Sequence, residues 1–175
     1  MINMPIGAAL GLSVVFVSLA VAAPAEASYR IRNKVNTNQC LGLPASNVTN
    51  GTNIITYQCD GTPNQDWYHK YYNGAWHWKN GANQNKCLTA FYGVGFQVTI
   101  WDCDTNGSAG QDSYQGWDTE DGGGGYVYLI PNVLASLNYV AGVAGGNANV
   151  KNGGSLYMWE RLAGHDDQLW LFDGF

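Results

Sequence analysis

An aromatic residue, a polar turn and a closing Gln-x-Trp occur three times in this chain. Tyr57 leads to Gln65-Asp66-Trp67, Trp101 to Gln115-Gly116-Trp117, and Trp159 to Gln168-Leu169-Trp170. The closing tryptophans are 117 − 67 = 50 and 170 − 117 = 53 residues apart. Self-similarity at a period of this size marks one supersecondary unit copied along the chain. The copies span about 29–70, 71–119 and 120–175.

The cysteines obey the same register. Cys40 and Cys59 are 19 apart in the first copy, and Cys87 and Cys103 are 16 apart in the second. Four cysteines allow three pairings, and the register selects Cys40–Cys59 and Cys87–Cys103. Matching the third copy to this pattern puts Ser136 and Arg161 at the cysteine positions, so no bridge is expected there. Zinc is disfavoured because the spacings lack paired Cys-x-x-Cys knuckles.

Disulfides require an oxidising compartment, and the N-terminus agrees with one. Ile6 to Ala23 is an uncharged apolar run, followed by Pro24 and the small-x-small triplet Ala25-Glu26-Ala27. This reads as a secretory signal peptide over residues 1–27. No Lys or Arg precedes the run, which is also long enough to span a bilayer. The small-residue site and the lack of basic stop-transfer residues favour cleavage over an anchor, so secretion without membrane insertion is expected. Cleavage after Ala27 leaves 175 − 27 = 148 residues, one domain's worth, running 28–175. It keeps all 8 basic residues and 13 − 1 = 12 acids, a net charge of about −4. Nucleic-acid binding needs a basic face and is disfavoured.

Within the copies, short β-prone runs alternate with turn clusters. Tyr29–Asn33, Cys40–Leu43, Ile54–Tyr57 and Gln65–Tyr68 are the strand candidates of the first copy. Ala75–Lys79, Lys86–Ala90 and Gln97–Trp101 repeat them in the second, and Tyr126–Ile130, Ser136–Val140, Ser155–Trp159 and Gln168–Phe172 in the third. Gly122–Gly125 reads as a hinge between copies. No segment carries a helical period. An all-β chain in three four-stranded copies predicts a pseudo-threefold barrel, the β-trefoil.

The order Cys-Leu, Asn-Gly turn, strand ending in an aromatic, Cys, polar turn and Gln-x-Trp resembles the ricin B-chain type of lectin repeat over essentially all of 28–175. The resemblance implies that Trp67, Trp117 and Trp170 are scaffold. It places a sugar-stacking ring at Tyr57, Trp101 and Trp159, since a pyranose offers a face of C–H groups to an aromatic surface. The family's carboxylate follows Cys-Leu, where this chain has Gly42, Thr89 and Asn138. The family's Gln two residues before the ring is here Ile55, Thr99 and Tyr157. The polar pair ending in the motif's Gln is Asn64-Gln65, Tyr114-Gln115 and Asp167-Gln168. Repeat three keeps most, with Asn138, Tyr157, Trp159, Asp167 and Gln168. Thr89, Trp101 and Gln115 form a weaker set in repeat two, and Tyr57, Asn64 and Gln65 in repeat one.

The expected partner is therefore a glycan, bound without metal, cofactor or catalysis. The loss of the family's acid leaves a second reading open, a protein-binding trefoil such as an inhibitor or a toxin accessory subunit. His69, His77 and His165 lack metal-ligand spacing, and no nucleophile elbow or phosphate loop is present. Asn47, Asn50 and Asn106 each open an Asn-x-Ser/Thr acceptor, usable only in a host that glycosylates secreted proteins.

Overall fold

The computed structural model describes residues 27–91, 93–104 and 112–175. Residues 1–26 of the expected signal peptide and the acceptor at Asn106 lie outside the described residues.

Among the described residues there are twelve strands, four for each copy. They are β1 (Ser28–Asn33), β2 (Gln39–Gly42), β3 (Ile55–Gln58), β4 (Asp66–Tyr72), β5 (Ala75–Asn80), β6 (Asn83–Ala90), β7 (Val98–Asp102), β8 (Trp117–Gly123), β9 (Tyr126–Pro131), β10 (Tyr139–Val143), β11 (Gly154–Glu160) and β12 (Trp170–Gly174). One turn of helix, Asp112–Gln115, and short 3₁₀ segments make up the rest of the regular structure.

The first and last strand of each copy form the barrel. Antiparallel ladders join β4 to β5, β1 to β4, β1 to β12, β12 to β9 and β9 to β8. The middle strands form three hairpins, β2–β3, β6–β7 and β10–β11. These hairpins meet pairwise at one end of the barrel: Gly154 pairs with Thr56, Asn53 with Thr99, and Gln97 with Tyr157. The fold is the β-trefoil that the threefold copy predicts.

The three motif tryptophans hold corresponding places. Trp67, Trp117 and Trp170 are at most 1% exposed. Their indole N–H groups donate to the carbonyls of Leu41, Leu88 and Ala141 at 3.0, 2.9 and 3.0 Å. A buried indole needs such a partner. Ile31, Leu88, Ile100, Leu129 and Leu156 fill the space between the rings.

Each motif glutamine closes its own turn. Gln65 accepts from the Asp60 amide and donates to the Gln58 carbonyl, both at 2.9 Å. Gln115 does the same with Asp104 and Asp102, and Gln168 with Leu162 and Glu160. Both disulfides follow the register, with Cα–Cα separations of 5.1 Å for Cys40–Cys59 and 5.0 Å for Cys87–Cys103.

Two expectations are corrected. Gly122–Gly125 does join the second copy to the third, but not as a hinge. It falls at the β8–β9 hairpin turn, where Gly123, Gly124 and Gly125 all take positive φ, a conformation cheap only for glycine. The register of repeat three also shifts. Cys40 pairs with Tyr57 and Cys87 with Trp101, and the residue paired with Trp159 is Val140. Ser136 therefore does not occupy a cysteine position, and the counterpart of Gly42 and Thr89 is Gly142 rather than Asn138.

Candidate functional site

The three hairpins present their aromatic residues differently. Trp159 borders a pocket of about 380 Å³ whose walls include Val94, Gly146, Leu162, His165 and Asp167. Tyr57 borders another of about 490 Å³, with Ile55, Asp60, Thr62, Asn64 and Asn152. Trp101 meets the edge of Phe91 at a ring separation of 5.3 Å, and Phe91 in turn meets Tyr114 at 5.3 Å. Its platform is thus contacted by the chain's own rings.

Of the residues expected in repeat three, the structure brings together Trp159, Asp167 and Gln168. Asn138 does not join them. It sits exposed in a left-handed conformation (φ 58°), ahead of β10, and its carbonyl accepts from the Arg161 amide at 3.0 Å. Asn38 and Asn85 make the same bond to the amides of Cys59 and Cys103, so Asn138 is a structural counterpart of those asparagines. Tyr157 lies along the strand from Trp159 with ring centroids 6.0 Å apart, but it borders a neighbouring depression with Lys151 and Ser155.

The place of the family's acid is sterically closed. A Cβ on Gly142 would lie 2.8 Å from Cγ of Gln168 and 3.2 Å from Oδ2 of Asp167. A Cβ on Gly42 would lie 2.9 Å from Cγ of Gln65. In repeat two Thr89 is fully buried, donates to the Cys87 carbonyl and accepts from Gln115. Gln65, Gln115 and Gln168 have both ends of their amides engaged by turn backbone, which gives them a turn-closing role instead of the expected role as hydroxyl partners.

Asp167 takes over the position in repeat three. Its side chain is 2% exposed and its carboxylate borders the Trp159 pocket. The backbone around it is fixed on both sides, since its amide donates to Oδ1 of Asn147 at 2.8 Å and its carbonyl accepts from Asn33 at 2.9 Å. Among the described residues Oδ1 has no hydrogen-bond partner, and it is shut off from solvent. The nearest cationic group is Nδ1 of His165 at 3.4 Å, a contact that carries charge only when the ring is protonated. Burial pushes the Asp167 carboxyl above its ordinary range, and His165 and the backbone amides only partly oppose this. A Cβ on Gly146 would lie 3.9 Å from Oδ1, so the glycine adds no side chain beside it.

The corresponding residue in repeat one is Asn64. Its amide donates to the Leu43 carbonyl at 2.8 Å and accepts from the Thr62 hydroxyl. The repeat-one pocket thus carries a neutral, internally satisfied amide where repeat three carries a carboxylate with an open acceptor.

Sequence reasoning missed Val94, Gly146, Leu162 and His165 in repeat three, and Asp60, Thr62 and Asn152 in repeat one. Asn152 reaches the first copy from the third: its Oδ1 accepts from Gln39 and from the Gln58 amide. No period signals Val94 or Asn152, because each reaches its pocket from a loop of another copy. Among the described residues no three His, Cys, Asp or Glu side chains gather as a metal site would require.

The ricin-type beta-trefoil lectin domain family matches the chain over residues 27–170. No curated protein matches it by sequence. Among solved structures, the designed threefold-symmetric protein ThreeFoil superposes with a TM-score of 0.70 at 19% identity, over 83% of this chain and 97% of that one. A Macrolepiota procera ricin B-like lectin, solved with lactose, gives 0.64 at 16% identity, over 87% and 99%. The earthworm R-type lectin C-half, solved with GalNAc, gives 0.62 at 16%, over 85% and 99%. At these identities the likeness concerns the fold.

Proposed function

We propose that this chain, which belongs to the ricin-type β-trefoil lectin family, is a secreted, non-catalytic carbohydrate-binding protein whose principal site lies in repeat three. The observation that carries the reading is the buried Asp167 carboxylate, with an open acceptor, in the same pocket as the Trp159 ring. A ring for the C–H face and a fixed acceptor for a hydroxyl are the minimum that a pyranose site needs. The relatives solved with lactose and GalNAc support a glycan as the ligand class.

Repeat one supplies a second site built on Tyr57, Asn64 and Asn152, where the one carboxylate, Asp60, is already engaged by the Thr62 amide and hydroxyl. Repeat two contributes scaffold, its Trp101 being contacted by Phe91. A single shallow site of this type binds with Kd in the ~mM range, about −4 kcal/mol. Useful retention on a surface comes from engaging both sites or several copies.

Secretion is supported by the residue-27 junction: β1 starts at Ser28, immediately after the small-residue triplet, so cleavage there spares every barrel strand. N-terminal sequencing of exported protein should begin at Ser28, and recovery of intact chain in membranes would overturn the cleavage. Glycan-array binding tests the lectin reading. A hit lost in Trp159→Ala supports it, and a hit of undiminished affinity in that variant removes the repeat-three site. An array with no hit at all transfers the case to a protein-binding trefoil.

A further inference from the structure

We propose that the repeat-three pocket is selective for sugars bearing a free amine, with the ammonium group seated on Asp167. This deepens the lectin reading and rests on it. Four observations meet here. Oδ1 of Asp167 is buried and lacks a hydrogen-bond partner. None of the side chains bordering the pocket is a lysine or arginine; Glu160 stands among them, adding a second acid. The Trp159 ring lines the pocket, and aromatic faces attract cations as well as sugar C–H groups. Gly146, with φ 75°, brings no side chain against Oδ1, from which a Cβ there would lie 3.9 Å away.

A buried carboxylate without a counter-charge is expensive, and a hydroxyl relieves it only by hydrogen bonding. An ammonium brings three donors and the missing charge, and such charge-assisted bonds are about twice as strong as neutral ones. An N-acetyl group offers one neutral N–H. Its methyl would find Val94 and Leu162, but these are 41% and 44% exposed at the mouth, whereas Asp167 lies at depth. His165 is the internal competitor, because once protonated it pairs with the same oxygen. The neighbouring Lys151 lies beyond Tyr157, in a different depression. Repeat one provides the contrast within the chain: Asn64 occupies the same position without charge, and the Asp60 carboxylate there already accepts from Thr62, so that site should discriminate less.

The test is an NMR titration of the folded protein just below neutral pH. The probes are glucosamine and galactosamine, their N-acetylated forms, and the parent hexoses. Resonances of the Trp159 indole report repeat three. Hexosamines should bind there on the order of tenfold more tightly than the other sugars. Asp167→Asn should abolish that preference, the hexosamines falling to the affinity of their N-acetylated and neutral counterparts in the same variant. Asparagine is tolerated at this position in repeat one, and the backbone bonds of residue 167 to Asn147 and Asn33 do not need the carboxylate, so this variant should fold. Equal affinities for amine and N-acetyl sugars, or a preference retained in Asp167→Asn, would overturn the inference while leaving the lectin reading intact. Failure of all six sugars, joined to an empty glycan array, would remove both.

Discussion

Arg161 grips Glu120 with both arms of its guanidinium, at 2.6 and 2.8 Å, and lies over the Tyr128 ring at 4.4 Å. Glu120 and Tyr128 are cross-strand partners in the β8–β9 hairpin. Arg161 itself occupies the third copy's counterpart of Cys59 and Cys103, as the shared amide bonds to Asn38, Asn85 and Asn138 show. Where two copies are stapled by sulfur, the third ties this position to the barrel by charge and ring.

A charge tether is screened by salt and a disulfide is not. Arg161→Ala is therefore expected to lower Tm at low ionic strength, with the deficit shrinking as salt is added. Thermal melts of both proteins across a salt series check this. A deficit independent of salt would assign the role of Arg161 to packing on Tyr128 alone.

The corrected register makes a sharper expectation. Val140 and Arg161 hold the places of Cys40 and Cys59, so Val140→Cys with Arg161→Cys should close a third bridge. The enclosed loop of 161 − 140 = 21 residues is worth about 3 kcal/mol in the chain-entropy account, less what the lost tether and the buried Val140 methyls contributed. Ser136→Cys with Arg161→Cys should stay reduced under the same conditions. Thiol counting after air oxidation separates the two.

That correction shows what was legible. The fold was, because Trp67, Trp117 and Trp170 each send an indole to one backbone carbonyl, and a core contact copied three times leaves a copied sequence. The site was legible only in part. Ser136-Leu137 imitates Cys-Leu, while the true counterpart, Val140-Ala141, has neither cysteine nor leucine. A usable cue was present: Asn38-Gln39-Cys40, Asn85-Lys86-Cys87 and Asn138-Tyr139-Val140 share the asparagine whose carbonyl meets the residue-59, -103 and -161 amides. Val94 and Asn152 could not be found by period, since each reaches a site from a neighbouring copy.

The two classes of tryptophan should separate under substitution. Trp170→Ala empties a fully buried position and strands the Ala141 carbonyl, a change expected to cost about 3–5 kcal/mol. Trp159 is half-buried on the pocket wall, so Trp159→Ala should cost much less stability while removing most glycan affinity. Urea melts paired with array binding distinguish them. Equal destabilisation by both would mean that Trp159 is core.

The β4–β5 hairpin carries a pH dependence. His69 is stacked between Trp76 and Trp78, with ring centroids 4.3 and 4.0 Å away. Desolvation, aided by the nearby His77, lowers its pKa from 6.5 to about 4. The folded protein therefore prefers the neutral ring. The stability this provides is present above pH 6.5, is lost as pH falls from 6.5 to about 4, and changes no further below that. His69→Phe should keep the stack and flatten Tm over that window. An unchanged profile would place the acid sensitivity elsewhere.

Asp167 should give the opposite sign. Its pKa is raised in the folded state, chiefly by burial. Its favourable linkage is thus present below the ordinary carboxylate value of 3.8 and is lost as pH rises through the folded value, leaving the ionised side chain a net cost at neutral pH. Asp167→Asn removes that cost. Tm at neutral pH is therefore expected to rise in the variant as its affinity for amine-bearing sugars falls. Opposed changes of this kind mark a residue held for binding at the expense of stability. A lower Tm in Asp167→Asn would instead make the carboxylate a structural element of the repeat-three turn, with its contact to His165 as the stabilising feature.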